Sequence, residues 1–139
     1  MRPLRFFLAF SALVWGVSWI GVFLPWPAAV DALQGLGARD LPADPMLDYW
    51  LRMASAAFGL VGLLYGLTAW NPGRHVAMLP CLGRLMLVEG GVLLFHGARL
   101  ELPPFPFVAD VAACFVGGGG ILCSLGNRRS EPGGGTASP

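Results

Sequence analysis

The sequence predicts an all-α protein: a transmembrane four-helix bundle with its N- and C-termini cytoplasmic. Four apolar runs recur along the 139 residues, each close to the ~20 residues a helix needs to cross ~30 Å of hydrocarbon. Only 12% of the residues are charged while 55% are hydrophobic, and the mean hydropathy is +0.64. A soluble domain carries about a quarter charged residues, so polar surface is too scarce here to cover a water-soluble globule. Prolines, glycines and charges gather between the runs. In lipid the backbone must satisfy its own hydrogen bonds, which makes each run a helix.

The expected helices cover about 6–24, 51–70, 79–96 and 107–125, within one domain of residues 1–126. The first begins after Arg2 and Arg5 and stops at Pro25 and Pro27. Its apolar run of 19 residues, with Trp15 and Trp19 in it, exceeds the ~7–15 of a signal-peptide core, so a retained helix is expected. The connection to the second helix is the longest. Within it Ala28 to Leu36 reads either as a short helix on the membrane surface or as a loop. Asp44-Pro45 has the form of an N-cap with proline at the first helical position. Asn71-Pro72-Gly73 makes a turn. Pro80 either kinks a helix begun at Pro72 or marks the first turn of the third helix. Pro103, Pro104 and Pro106 fill the next connection. Gly126-Asn127 is a C-terminal stop, and the Gly/Pro/Ser-rich remainder of 127–139 is expected to be a disordered cytoplasmic tail.

Charge placement sets the expected orientation. Arg2, Arg5, Arg74, Arg128 and Arg129 fall on one side, and Arg39 and Arg99 on the other, with Arg52 at the boundary. Asp31, Asp40, Asp44, Asp48 and Glu101 join the second side, and Glu131 the first. This is a positive-inside pattern. Trp26, Trp50 and Trp70 stand where interfacial aromatic belts lie. All nine basic residues are arginine, a composition that suggests a GC-rich bacterial genome and hence a bacterial inner membrane.

Small residues mark where helices meet in lipid. Ser55, Ala56, Gly59, Gly62 and Gly66 form such a stripe on the second helix, and Ala113, Gly117, Gly120 and Ser124 on the fourth. Gly90 and Gly91 supply the third. The glycine run 117–120 reads as close packing or as a hinge.

Charges inside a bilayer must face the bundle or reach an interface. Glu89 lies in the third helix, His96 seven residues on and so on the same face. Arg52 opens the second helix and Asp110 lies one turn into the fourth. Arg52, Glu89, His96 and Asp110 are therefore expected to converge near the outer mouth. There they make either a structural ion-pair cluster or a polar site for a proton, an anionic headgroup or a small ligand. Arg84 points away from Glu89 and is expected to snorkel inward.

No cofactor is expected. His75 and His96 fall on opposite sides, which argues against a shared metal or haem. Cys81, Cys114 and Cys123 form no CxxC, and lie in apolar runs as small hydrophobes. The sequence holds no nucleophile triad spacing and no phosphate-binding glycine loop. A net charge of +1 gives nucleic acid no basic field to bind, so the expected partners are the lipid bilayer and other membrane proteins.

The Asp44-Pro45 segment leading into Tyr49-Trp50-Leu51-Arg52, the glycine-rich second helix and Leu87-Val88-Glu89-Gly90-Gly91 together resemble small four-helix bacterial membrane proteins of the DoxX-like type. The resemblance spans most of the first 125 residues and implies association with membrane oxidoreductase complexes. The residues themselves favour a non-enzymatic accessory or interaction subunit. The alternatives are a carrier or binder of a small ligand or lipid, and a subunit of an oxidoreductase complex.

Overall fold

A computed structural model describes residues 2–39, 41–102 and 104–129. They form five helices: α1 (Arg2–Phe23), α2 (Trp26–Gly35), α3 (Pro45–Trp70), α4 (Leu79–Arg99) and α5 (Pro104–Arg129). No strand occurs among the described residues. α1, α3, α4 and α5 are each long and apolar enough to cross a membrane.

The helix ends follow local chemistry. α1 tightens into a 3-10 turn at Val17–Trp19 and ends where Leu24, preceding Pro25, turns extended (ψ 130°). Residues 26–35 are helical rather than looped. α2 closes on Gly37, whose φ of 103° suits a residue without Cβ. There the Gly37 N–H donates to Gln34 O at 2.9 Å and the Ala38 N–H to Leu33 O at 3.0 Å. α3 starts on the Asp44 cap, whose carboxylate accepts from the Met46 N–H at 2.8 Å. Pro80 falls in the first turn of α4, where its missing N–H costs no helical bond, and the residues before it are turns.

The helices run longer than the apolar runs because their caps sit beyond them. α1 takes in Arg2 and Arg5, α3 begins at Pro45, and α4 reaches Arg99. Gly126-Asn127 does not end α5, which continues to Arg129; glycine permits a stop but does not impose one. Residues 127–129 are thus helical. The rest of the expected tail, with Glu131, lies outside the described residues, as do Asp40 and Pro103.

In space the spanning helices follow the order α3, α1, α5, α4. α1 packs on α3 and on α5, and α5 packs on α4. Small residues allow the approach. A Cβ on Gly62 of α3 would strike the backbone of Gly16. Gly59 takes the Trp19 ring, Gly117 takes Met86 and Ser11, and Gly120 takes Phe7. α4 and α5 meet at a glycine pair, where a Cβ on Gly118 would stand 2.7 Å from the Gly83 carbonyl oxygen. Gly83 and Gly97, which faces Phe107, belong to this packing as much as Gly90 does. Gly91 has nothing within 4 Å of its Cβ position and points away.

The core is lopsided. Leu4, Leu8, Tyr65, Leu79, Leu82, Met86, Cys114 and Ile121 form the buried cluster. Most of these lie toward the end bearing the N-terminus and the α3–α4 turn. The cavities described next run from the edge of this cluster to the underside of α2.

Candidate functional site

The site grows from an opening between α3 and α4. The Tyr65 hydroxyl donates to the Leu82 carbonyl at 3.0 Å and ties the two helices near their shared turn. Beyond this tie, toward α2, a cavity of about 300 Å³ lies between them. Its walls are mainly aliphatic and aromatic, Val61, Leu64, Leu85 and Val88 among them, with Glu89 at one side. Leu85 and Val88 are 58% and 63% exposed, so this cavity opens on the flank of the bundle.

A second cavity, of about 230 Å³, lies deeper and shares Trp15, Phe58 and Glu89 with the first. Ser18, Asp110 and Cys114 complete its polar lining. A third, of about 560 Å³, shares Leu93 and Asp110 with the second and is roofed by Leu33, Leu36 and Gly37 of the α2 region. His96 lines this last one. The cavities therefore adjoin through common walls, from beneath α2, past Asp110 and Glu89, to the flank between α3 and α4.

Three titratable side chains descend along this route. At 1.5 Å of rise per residue, His96 lies about 4–5 Å below the Arg99 end of α4, and Glu89 about 15 Å below it. Asp110 is about 6 Å along α5 from Pro106 by the same rise, the helix being interrupted at Phe105 (φ −105°, ψ 132°). Glu89 is half-buried, and Asp110 is exposed and lines two of the cavities. Among the described residues neither carboxylate makes an ion pair or a hydrogen bond.

Arg52 does not join them. Its guanidinium pairs with Asp48 at 3.0 Å, one helical turn back, and donates to the Val22 carbonyl at 2.7 Å. The reason is local. Pro25 ends α1 and leaves the last carbonyls of that helix without amide partners, and Arg52 is within reach of one. The expected convergence of four groups is thus corrected to three, His96, Asp110 and Glu89, spread along adjoining cavities with no arginine among them. Arg84 is exposed near the opposite end of α4.

Three contributors carry little signal in the sequence. Trp15 packs against Phe58 with ring centroids 5.2 Å apart and planes tilted by 46°, and its indole N–H is buried without an acceptor among the described residues. Cys114 is buried in the wall. An aromatic or a cysteine within an apolar run looks like core; a site is recognisable here only once Glu89 and Asp110 are known to face the same space. Among the described residues no three His, Cys, Asp or Glu side chains are grouped to hold a metal ion, and all three cysteines are free. The chain matches no family model, no curated protein and no solved structure.

Proposed function

We propose that this chain is a multi-pass membrane protein that binds a small amphipathic molecule in the adjoining cavities beside Glu89, Asp110 and His96. The observation that carries the reading is that Glu89 and Asp110 line one cavity with neither carboxylate paired. A buried ion-pair cluster that fixed helix register would have its charges matched. An unpaired carboxylate at membrane depth is costly, and such a cost is tolerated where the group has a ligand to meet.

Membrane placement is supported by the outer surface of the bundle. Leu13, Phe23 and Trp70 are 72%, 78% and 87% exposed, and similar residues cover the flanks of all four long helices. Contiguous apolar surface on that scale needs lipid or a partner. With arginines gathered at the end opposite α2, the bacterial inner membrane with both termini cytoplasmic is the matching location.

The deciding experiment is thermal unfolding of the Glu89→Gln/Asp110→Asn variant in mild detergent, beside ligand binding. Neutral amides relieve the desolvation of two unpaired carboxylates. The variant is expected to unfold at the same temperature as the wild type or higher, by about 1 kcal/mol, while losing its ligand. A loss of ~3–5 kcal/mol, the size expected on breaking a buried pair, would return the two residues to a structural role.

A second reading, an interaction subunit, is favoured by Gly91 and Gly119. Both have open space where a Cβ would stand, leaving room for a helix of another protein to seat closely. Recovery of one stoichiometric partner in mild detergent, lost in a Gly91→Leu/Gly119→Leu variant, is the result this reading requires.

A further inference from the structure

We infer that the occupant is a lipophilic amine, its cationic head held between Glu89 and Asp110 and its tail leaving the bundle between α3 and α4. The inference rests on the binding reading above and adds the chemical class of the ligand and its route to the lipid.

The head is chosen by charge. The cavity of about 230 Å³ brings two carboxylates to its wall. Arg52 is occupied by Asp48 and by the Val22 carbonyl, and Arg84 lies toward the other end. No arginine or histidine lines this cavity, His96 standing on the adjoining one, so an anionic head meets like charge in a medium of low dielectric, where repulsion is strong. An ammonium group meets two acceptors and carries three donors to share between them. The phenyl and indole rings of Phe58 and Trp15 line the same space, and aromatic faces attract cations.

The tail is chosen by the walls. From Glu89 the adjoining cavity of about 300 Å³ is lined by Val61, Leu64, Leu85 and Val88 and runs to the flank of the bundle. It offers an alkyl chain apolar contact and then lipid. The cavity under α2 is a poorer route for a tail, because it carries His96 and Asp110 and ends beneath a helix.

The test compares dodecylamine, dodecanol and dodecanoate, matched in tail and at equal mole fraction in non-ionic micelles, by the shift each produces in the unfolding midpoint. A ligand that binds the native state alone raises the midpoint. Dodecylamine is expected to raise it for the wild type by several degrees more than the other two. Two variants remove that excess: Glu89→Gln/Asp110→Asn by neutralising the head site, and Leu85→Trp by filling the flank opening. Leu85 is largely exposed, so the tryptophan fits without disturbing the core. An equal response to all three heads, lost in Leu85→Trp, would overturn the amine and leave the binding reading standing. An amine response unchanged in the neutralised variant would also overturn the amine, as a micelle-charge effect. No response to any of the three would overturn both.

Discussion

At the scale of single residues, this bundle separates polar groups that tie helices together from polar groups left free. Tyr65, Arg52 and Ser11 belong to the first kind. The Tyr65 hydroxyl reaches the Leu82 carbonyl, Arg52 reaches the Val22 carbonyl, and the Ser11 hydroxyl donates to Met86 Sδ at 3.4 Å. Each joins two different helices. Tyr65→Phe removes one such bond while keeping the ring in the core. It should lower stability by about 1 kcal/mol, read as a fall in the unfolding midpoint, and should widen the gap between α3 and α4. No change in the midpoint would mean that the helices are held together by other contacts. The Arg52–Asp48 pair is weaker ground for a stability argument. Its side chains are 34% and 33% exposed, where an i,i+4 pair contributes a few tenths of a kcal/mol.

At the scale of elements, glycine decides which helix faces touch. Gly62 sits against the Gly16 backbone, and a backbone cannot turn aside as a side chain can. Gly62→Ala is expected to force α1 and α3 apart and to cost about 1–3 kcal/mol, the range for an overpacked interior. Gly91→Ala is the internal control. Its Cβ would meet nothing within 4 Å, so the better helix propensity of alanine should leave the protein equally stable or add up to about 1 kcal/mol. Equal losses from both substitutions would mean that glycine acts through helix propensity and not through close approach. This contrast also shows how much of the fold the sequence carries. The apolar runs and the Asp44-Pro45 cap locate the spanning helices because lipid demands length and internal hydrogen bonding. The stripe of Ser55, Gly59 and Gly62 is readable because a period of 3–4 places small residues on one face. The partner of each stripe is not readable, since nothing local says that α1, not α4, lies against α3. Arg52 is the instance: the Val22 carbonyl that receives it is a tertiary fact. Glu89, His96 and Asp110 stood out because charge is rare in apolar runs, whereas Trp15 and Cys114 did not.

At the scale of the whole molecule, the buried cluster thickens toward one end, and the cavities run from its margin, at Tyr65, Leu82, Met86 and Cys114, to the other. Leu4, Leu8, Leu79 and Ile121 are fully buried at the end where the N-terminus and the α3–α4 turn meet. At the other end α2 covers the cavity that His96 and Asp110 line. If the positive-inside rule governs insertion, the packed end faces the cytoplasm and the other end faces outward, with α2 on the outer surface. The arginines that the rule reads are Arg2, Arg5 and Arg74 with the α5 terminus at Arg128 and Arg129, against Arg39 and Arg99 at the other end. Single cysteines introduced at Arg39 and at His75, in a background with Cys81, Cys114 and Cys123 replaced by serine, read the orientation directly. A membrane-impermeant maleimide added to intact cells should label the cysteine at 39, and should reach the one at 75 only after the membrane is opened. The reverse pattern would place Glu89 and Asp110 in the cytoplasmic half and turn the α2 roof inward. Labelling of both positions from outside would mean that the α3–α4 turn and α2 lie on one side of the membrane, which no four-span arrangement of these helices allows.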